Sequence, residues 1–326
     1  MSSLFSLEIC AGAGGQALGL ERAGFQHAAA VEFEKIACDT LSSNRPSWNV
    51  LKMDIRDLNG RDYRGIDLLA GGVPCPPFSV ASRQLGADDY RDLFPTAIAL
   101  VRSSRPRAVI LENVPGLGAP KFAAYRHQVR SSLEKLGYTV WWQPINAAEF
   151  RVPQLRPRLV LVALKPKAAR SFVWPWEHSP YVTVGQALEY QMSADGWRGA
   201  ERWATRANKI APTLVGGSKL HGGPDLGPTR AKLAWQKLGV DGMGVADAPP
   251  GARFPLHGIP RLTVRMAATI QGFPESWKIE GKKTAAYRQV GNAFPPPVAE
   301  ALGNAVRRAL LGLRSESDPI LVTQAG

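Results

Sequence analysis

The first half of the chain alternates short apolar runs with stretches whose apolar residues recur at helical spacing. Leu4 to Cys10 is an apolar run of strand length. A glycine-rich segment, Ala11 to Ala17, follows, and then Leu18, Leu20 and Ala23 fall at helical spacing before Gly24. Ala28 to Val31 and the residues before Met53 form two further short strands. Ile66 to Ala70 is another, which the pair Gly71-Gly72 is expected to break. Asp92-Leu93-Phe94 opens a helical run to about Ser104, and Arg107 to Leu111 is the next strand. A helix covers about Lys121 to Leu136, and Tyr138 to Asn146 and Leu159 to Leu164 close the series. Strands alternating with helices predict an α/β fold, a mostly parallel, doubly wound sheet with its site at the carboxyl ends of the strands.

From about Phe172 the pattern changes. Trp174, Trp176, Trp197 and Trp203 sit among many glycines, with few long periodic runs, which predicts a second, smaller, loop-rich domain. Within it Thr213-Leu214-Val215-Gly216-Gly217-Ser218 has the form of a short strand entering a turn. The tryptophans by themselves are as well explained by packing as by ligand contact. After Thr263 a helical run leads to Gly272, and Val298 to Leu311 is an amphipathic helix.

Charge narrows the partners. A formal net charge of +13 over 326 residues favours a polyanion, nucleic acid first. The basic residues are spread over the whole chain, which points to a cleft built from several segments. No apolar run approaches the roughly 20 residues that span a bilayer, so no membrane partner is expected. The N-terminus has no basic leader, so no export is expected. Three cysteines (Cys10, Cys38, Cys75) cannot all pair and form no C-x-x-C, so neither a disulfide framework nor a metal site is expected, and a reducing cytoplasm fits.

Four stretches carry candidate chemistry. Gly71 to Ser79 reads GGVPCPPFS: a strand end, two glycines and three prolines around one thiol, Cys75, held as a nucleophile or as a small buried residue in a tight turn. Glu112 ends a strand before Asn113-Val114-Pro115-Gly116 and is a general acid or base candidate. Arg156 and Arg158 alternate, so both point to one face if a strand starts there, and would suit phosphate or base-carbonyl contacts. Gly12, Gly14 and Ala17 fit the relaxed dinucleotide-type pattern, with Glu32 twenty residues after Gly12 placed to accept from ribose hydroxyls. Asp54 could meet an adenine amino group and Ile55 its ring face. Read alone, this segment suits a nicotinamide or any other nucleoside cofactor.

Taken together and in this order, the stretches resemble the DNA (cytosine-5)-methyltransferase family, from about Ser6 to Leu311. The most specific pieces are Gly72 to Ser79, Glu112-Asn113-Val114, Gln154-Leu155-Arg156-Pro157-Arg158 and Gln289-Val290-Gly291-Asn292. The resemblance implies S-adenosyl-L-methionine as cofactor. Cys10, Gly12 and Gly14 would form its loop, Glu32 would bind the ribose, Asp54 and Ile55 the adenine, and Pro74, Leu93 and Asn292 would complete the pocket. It implies Cys75 as the nucleophile towards cytosine C6, Glu112 as donor to N3, Arg158 as donor to O2, Arg156 on phosphate or bracing the Cys75 loop, and Asn113 beside them. Ser79, Gln154, Thr213, Leu214, Gly216 and Gly217 would meet DNA. It implies a catalytic domain over 1–172 and 285–326 and a target-recognition domain over 173–284.

A bacterial, cytoplasmic restriction–modification methyltransferase follows, expected as a monomer on double-stranded DNA, with a cognate restriction endonuclease acting separately. A tRNA cytosine-5 methyltransferase and a catalytically silent DNA-binding protein are the alternatives. Three positions depart from the family pattern: Pro76 stands for the usual Gln, Cys10 for Phe and Pro157 for Glu.

Overall fold

The structure, a computed structural model, describes residues 3–74, 92–176, 180–217 and 223–313. The expected nucleophile Cys75, its neighbour Pro76, Ser79 and Ser218 lie outside the described residues.

Seven strands form one sheet: β1 (Leu4–Ile9), β2 (Phe25–Glu32), β3 (Val50–Lys52), β4 (Leu68–Gly72), β5 (Ala108–Asn113), β6 (Thr139–Asn146) and β7 (Pro157–Leu164), in the spatial order β3-β2-β1-β4-β5-β7-β6. The pairs from β3 to β5 are parallel, and β7 runs antiparallel to both neighbours. The sheet is therefore mostly parallel, as expected. Its strands read as unbroken apolar runs because both faces are covered. Leu7, Ile9, Leu69, Val109, Leu111 and Leu161 join one buried cluster, while Leu68, Ala70, Ala108, Ile110, Val160 and Val162 join another. That odd–even split is the two-residue period of a strand.

The helices are α1 (Gly15–Arg22), α2 (Lys35–Asn44), α3 (Phe94–Ser104), α4 (Ala123–Glu134), α5 (Pro166–Ala169), α6 (Val184–Ser193), α7 (Ala200–Arg206), α8 (Thr229–Lys237), α9 (Val264–Ile270), α10 (Lys283–Asn292) and α11 (Pro296–Leu311). α3 and α4 cover the first face through Phe94, Leu100, Val101, Val129 and Leu133. α1 and α11 cover the other through Leu20, Ala23, Val298, Leu302 and Val306. The last helix thus returns to the sheet. It lies close on α1 because small residues meet there: a Cβ on Gly19 would sit 2.4 Å from the Pro296 carbonyl and 2.5 Å from the Ala299 Cβ.

A third cluster, centred on α6 to α10, buries Leu188, Trp197, Trp203, Trp235, Met266 and Tyr287 and extends to Ala13 and Leu18 of the glycine-rich turn. The tryptophans here are packing residues, with Trp197 and Trp203 donating to the Pro255 and Gly239 carbonyls. Trp174 instead packs with the sheet, in a ladder from Trp141 through Phe172 with ring centroids 5.4 and 5.3 Å apart.

Three sequence expectations change. Gly71 and Gly72 do not break β4 but end it, because a side chain at Gly71 would strike Ile9 of β1 at 2.4 Å. Thr213 to Gly217 forms no strand; its backbone turns to side chains, described below, for partners. β7 begins at Pro157, so Arg156 precedes the strand and does not share a face with Arg158. Among the described residues no helix is long and apolar enough to cross a membrane.

Gly19→Val should lower the unfolding free energy by about 3 kcal/mol, since neither backbone nor Cβ neighbours can yield in that crossing. Urea unfolding of the variant against the parent measures it, and an unchanged midpoint would refute the close crossing.

Candidate active site at the carboxyl edge of the sheet

The chain leaves β1 through three left-handed residues, Cys10 (φ 53°), Gly12 (φ 55°) and Gly14 (φ 80°). Gly12 fits because it lacks a Cβ; a Cβ there would meet nothing within 4 Å, so open space lies beside the turn. At the end of β2, Glu32 locks this turn. Its Oε2 accepts the Gly12 N–H at 2.7 Å and its Oε1 accepts the Glu34 N–H at 2.7 Å. Burial raises its pKa above the ordinary carboxylate value, and those two N–H groups oppose the rise. Each oxygen keeps a further lone pair for a hydroxyl. Asp54 caps the following turn by accepting from the Arg56 N–H, and Ile55 is buried beneath it.

Cys10, Gly12, Glu32, Asp54, Ile55, Pro74, Leu93 and Asn292 all line one cavity of about 700 Å³. Gly14 does not: Trp277, which donates to the Ala13 carbonyl at 3.0 Å, covers it from below. Two groups that the sequence reading passed over belong to the same cavity. Phe33 is 63% exposed there, an aromatic face free for a flat ring. Glu8 and Gln16 are buried in its wall with no hydrogen-bond partner on either oxygen of Glu8 or either polar atom of Gln16. An acidic residue inside an otherwise apolar strand run was the signal for Glu8. Open space at the glycine turn, a carboxylate with free lone pairs and orphaned buried polar atoms fit a nucleoside carrying a polar tail.

Glu112, at the end of β5, lines the cavity too and pairs with Arg158 at the start of β7, Nε to Oε1 2.5 Å, with both side chains nearly buried. In register beside Glu112 is Gly72, the end of β4, where a Cβ would lie 3.1 Å from the Glu112 Oε2. The Cys75 loop therefore starts next to this pair. Its ends are fixed: Asn113 Nδ2 donates to the Val73 carbonyl at 2.8 Å, and the Leu93 N–H reaches the Pro74 carbonyl at 3.4 Å. Asn113 is thus a positioning residue, buried behind the loop, and not one that touches a substrate.

Arg156 also has another place than expected. It is fully buried and donates to the carbonyls of Leu214 (2.9 Å), Gly291 (2.8 Å) and Ala293 (2.9 Å). Burial and Arg158 push its pKa well down, and the carbonyl dipoles offset that cost. It reaches no phosphate. Gln154 is buried as well, accepting from the Leu214 N–H at 2.8 Å and donating to Gln271 at 2.7 Å, and Leu214 is fully buried. Neither can meet DNA in this arrangement.

Thr213 donates to the Leu155 carbonyl at 2.5 Å. Gly216 is pressed on α10, where a Cβ would lie 2.5 Å from the Arg288 carbonyl, and Asn292 Nδ2 donates to the Gly217 carbonyl at 3.2 Å. The segment 213–217 is therefore tied to the cavity's helix.

Comparison with known proteins agrees with this geometry. The family model for C-5 cytosine-specific DNA methylase matches residues 4–308. The chain belongs to the C-5 cytosine-specific DNA methylase family. It is 57% identical to the Type II methyltransferase M.NaeI of Lentzea aerocolonigenes over 95% of this chain and 76% of that protein. It is 51% identical to the Type II methyltransferase M.NgoMIV of Neisseria gonorrhoeae, over 94% and 97% respectively. The fold of this methylase is also that of a putative DNA modification methyltransferase from an E. coli prophage (TM-score 0.66, 22% identity, 95% and 100% covered). Dnmt2 of Spodoptera frugiperda shares it as well (TM-score 0.65, 16% identity, 94% and 100% covered).

Two predictions follow from the buried groups. Arg156→Lys should cost about 3 kcal/mol in urea unfolding, because an ammonium cannot serve three carbonyls held by a planar fork. Parent-like stability would show those carbonyls satisfied without the guanidinium. Burial lifts the Glu8 carboxyl from 4.5 to about 8. The folded methylase then keeps a proton that the unfolded chain loses, so this contribution to stability is full below about pH 4.5 and is lost as pH rises through about 8. Glu8→Gln, which cannot ionise, should raise the melting temperature of the ligand-free protein by several degrees near pH 8 and far less near pH 5. A gain independent of pH would contradict the burial argument.

Proposed function

We propose that this methylase transfers a methyl group from S-adenosyl-L-methionine to C5 of a flipped-out cytosine at a specific site in double-stranded DNA, and so protects that DNA from a cognate restriction endonuclease. The observation that carries the reading is the Glu112–Arg158 pair on the wall of the cavity, beside the start of the Cys75 loop and facing the Gly12–Glu32 turn. When bound, the cofactor supplies an electrophilic methyl group on a sulfonium. Glu32 would hold its ribose, Asp54, Ile55 and Phe33 its adenine, and Pro74, Leu93 and Asn292 the rest of the pocket.

Cytosine C5 is a poor nucleophile. Attack of the Cys75 thiolate on C6 makes the ring an enamine, and C5 then becomes the attacking atom. Glu112 donates to N3 and Arg158 to O2, where charge develops as the thiolate adds. Both groups come from strand ends and are held by the sheet, so little reorganises during the step. Loss of the C5 proton and elimination of Cys75 give 5-methylcytosine. The target base has to leave the duplex to reach this wall. The net charge of +13 favours the phosphate backbone around it.

Residues 173–284 form the target-recognition domain in this reading, and 1–172 with 285–326 the catalytic domain, acting as a monomer in the bacterial cytoplasm. The family match and the two Type II relatives support DNA over tRNA, and the presence of Cys75, Glu112 and Arg158 together supports an active enzyme over a silent binder.

Duplex DNA carrying 5-fluorocytosine tests the chemistry, because fluorine at C5 cannot leave as a proton does. With S-adenosyl-L-methionine present, a covalent protein–DNA adduct should survive a denaturing gel and vanish in Cys75→Ser. No adduct with a broad, GC-rich pool of sites would overturn the covalent mechanism.

A further inference from the structure

Glu8 and Gln16 have no role in the mechanism above, yet they break the rule that buried polar groups are paired. Glu8 is fully buried in β1, with Ala30 of β2 and Ala70 of β4 as its register neighbours, so no strand supplies a polar side chain opposite it. The Ala17 backbone is close enough to favour its anion but makes no hydrogen bond with it. Gln16, in the first turn of α1, is 4% exposed, and its amide oxygen and nitrogen are both unpartnered. Both residues line the cavity beside Gly12 and Cys10. Four buried polar atoms thus converge on space that a ligand can enter. A carboxyl group beside an amide offers an acceptor for an ammonium and a donor for a carboxylate, the two ends of an α-amino acid.

Resting on the reading of S-adenosyl-L-methionine as cofactor, we infer that Glu8 and Gln16 seat its α-amino-acid end, and that Glu8 gives up a proton to solvent when the cofactor's ammonium arrives. The proton balance is simple: the carboxylic acid of the free protein becomes a carboxylate paired with the incoming cation, and one proton is released. The free state is the acid because burial holds the Glu8 proton up to about pH 8. The titratable and charged groups around the cavity are Cys10 of β1, Glu32 at the end of β2, Asp54 after β3, Glu112 of β5 and Arg288 of α10. His27 of β2 contacts the Ala17 carbonyl from behind. Burial dominates the Glu8 shift and the Ala17 backbone opposes it; none of those charges contributes.

Isothermal titration of the full chain with S-adenosyl-L-homocysteine, without DNA, in two buffers of different ionisation enthalpy counts the protons. Near pH 7 the parent should release close to one proton more per ligand than Glu8→Gln. Its Kd should tighten about tenfold per pH unit between pH 6 and 7.5, while the variant's stays flat. The ligand's own amino group titrates identically in both, so the difference isolates Glu8. The parent's pH profile stands without the variant, should that variant fold poorly. 5′-Deoxy-5′-methylthioadenosine, which lacks the amino-acid tail, should bind the parent with no proton release. Equal proton counts in parent and variant, or a flat parent profile, would overturn the inference and leave the cofactor reading intact. No binding of S-adenosyl-L-homocysteine at any pH would overturn both.

Discussion

Arg156 is the group on which the rest of the arrangement hangs. Its guanidinium is removed from water and donates to carbonyls at Leu214, Gly291 and Ala293, positions remote from it in sequence. A buried cation held by carbonyl dipoles is tolerated only where the geometry is fixed, and breaking such a set leaves several groups unsatisfied at once. Through it the start of β7, the end of α10 and the segment 213–217 keep one relation to each other. Gln154 and Gln271 extend the net: Gln154 accepts from the Leu214 N–H, and Gln271 donates to the Ala293 carbonyl. The same short segment of chain delivers Arg158 to Glu112. The reacting pair and the cofactor's helix are therefore set by one polar knot.

The parts of the fold that depend on local pattern could be read in the sequence. The apolar runs of β1, β4, β5 and β7 stand out because both faces of the sheet are covered. The glycine turn with Glu32 stands out because a left-handed backbone and a carboxylate twenty residues on are both demanded there. What could not be read depends on contacts between distant segments. Arg156 and Gln154 look like surface or DNA-contacting groups from their residue types, and only the arrival of α10 and Leu214 buries them. Asn113 looks catalytic beside Glu112, yet it faces the Val73 carbonyl. Thr213 to Gly217 has the composition of a strand entering a turn, but its edge is taken by Gln154 and by the α10 backbone, so no ladder forms. Gly14 fits the cofactor pattern by spacing, while its space belongs to Trp277 from 263 residues away in the chain.

Asn292 shows how these two scales meet. It lines the cavity from the end of α10, and it donates to the Gly217 carbonyl of the segment that precedes the rest of the 173–284 region. Gly291, one residue earlier, has no room for a side chain because Gly216 lies 2.4 to 2.5 Å from where its Cβ would be. Two glycines, one on each side of the contact, let backbone meet backbone. A shift of the segment 213–217 would move the Gly217 carbonyl, and with it the amide that faces the cavity. The segment offered by the sequence as a reader of DNA is thus built as a strut against the cofactor wall. Readout of bases then falls to side chains elsewhere in 173–284, carried by a frame whose position the cavity itself helps to fix.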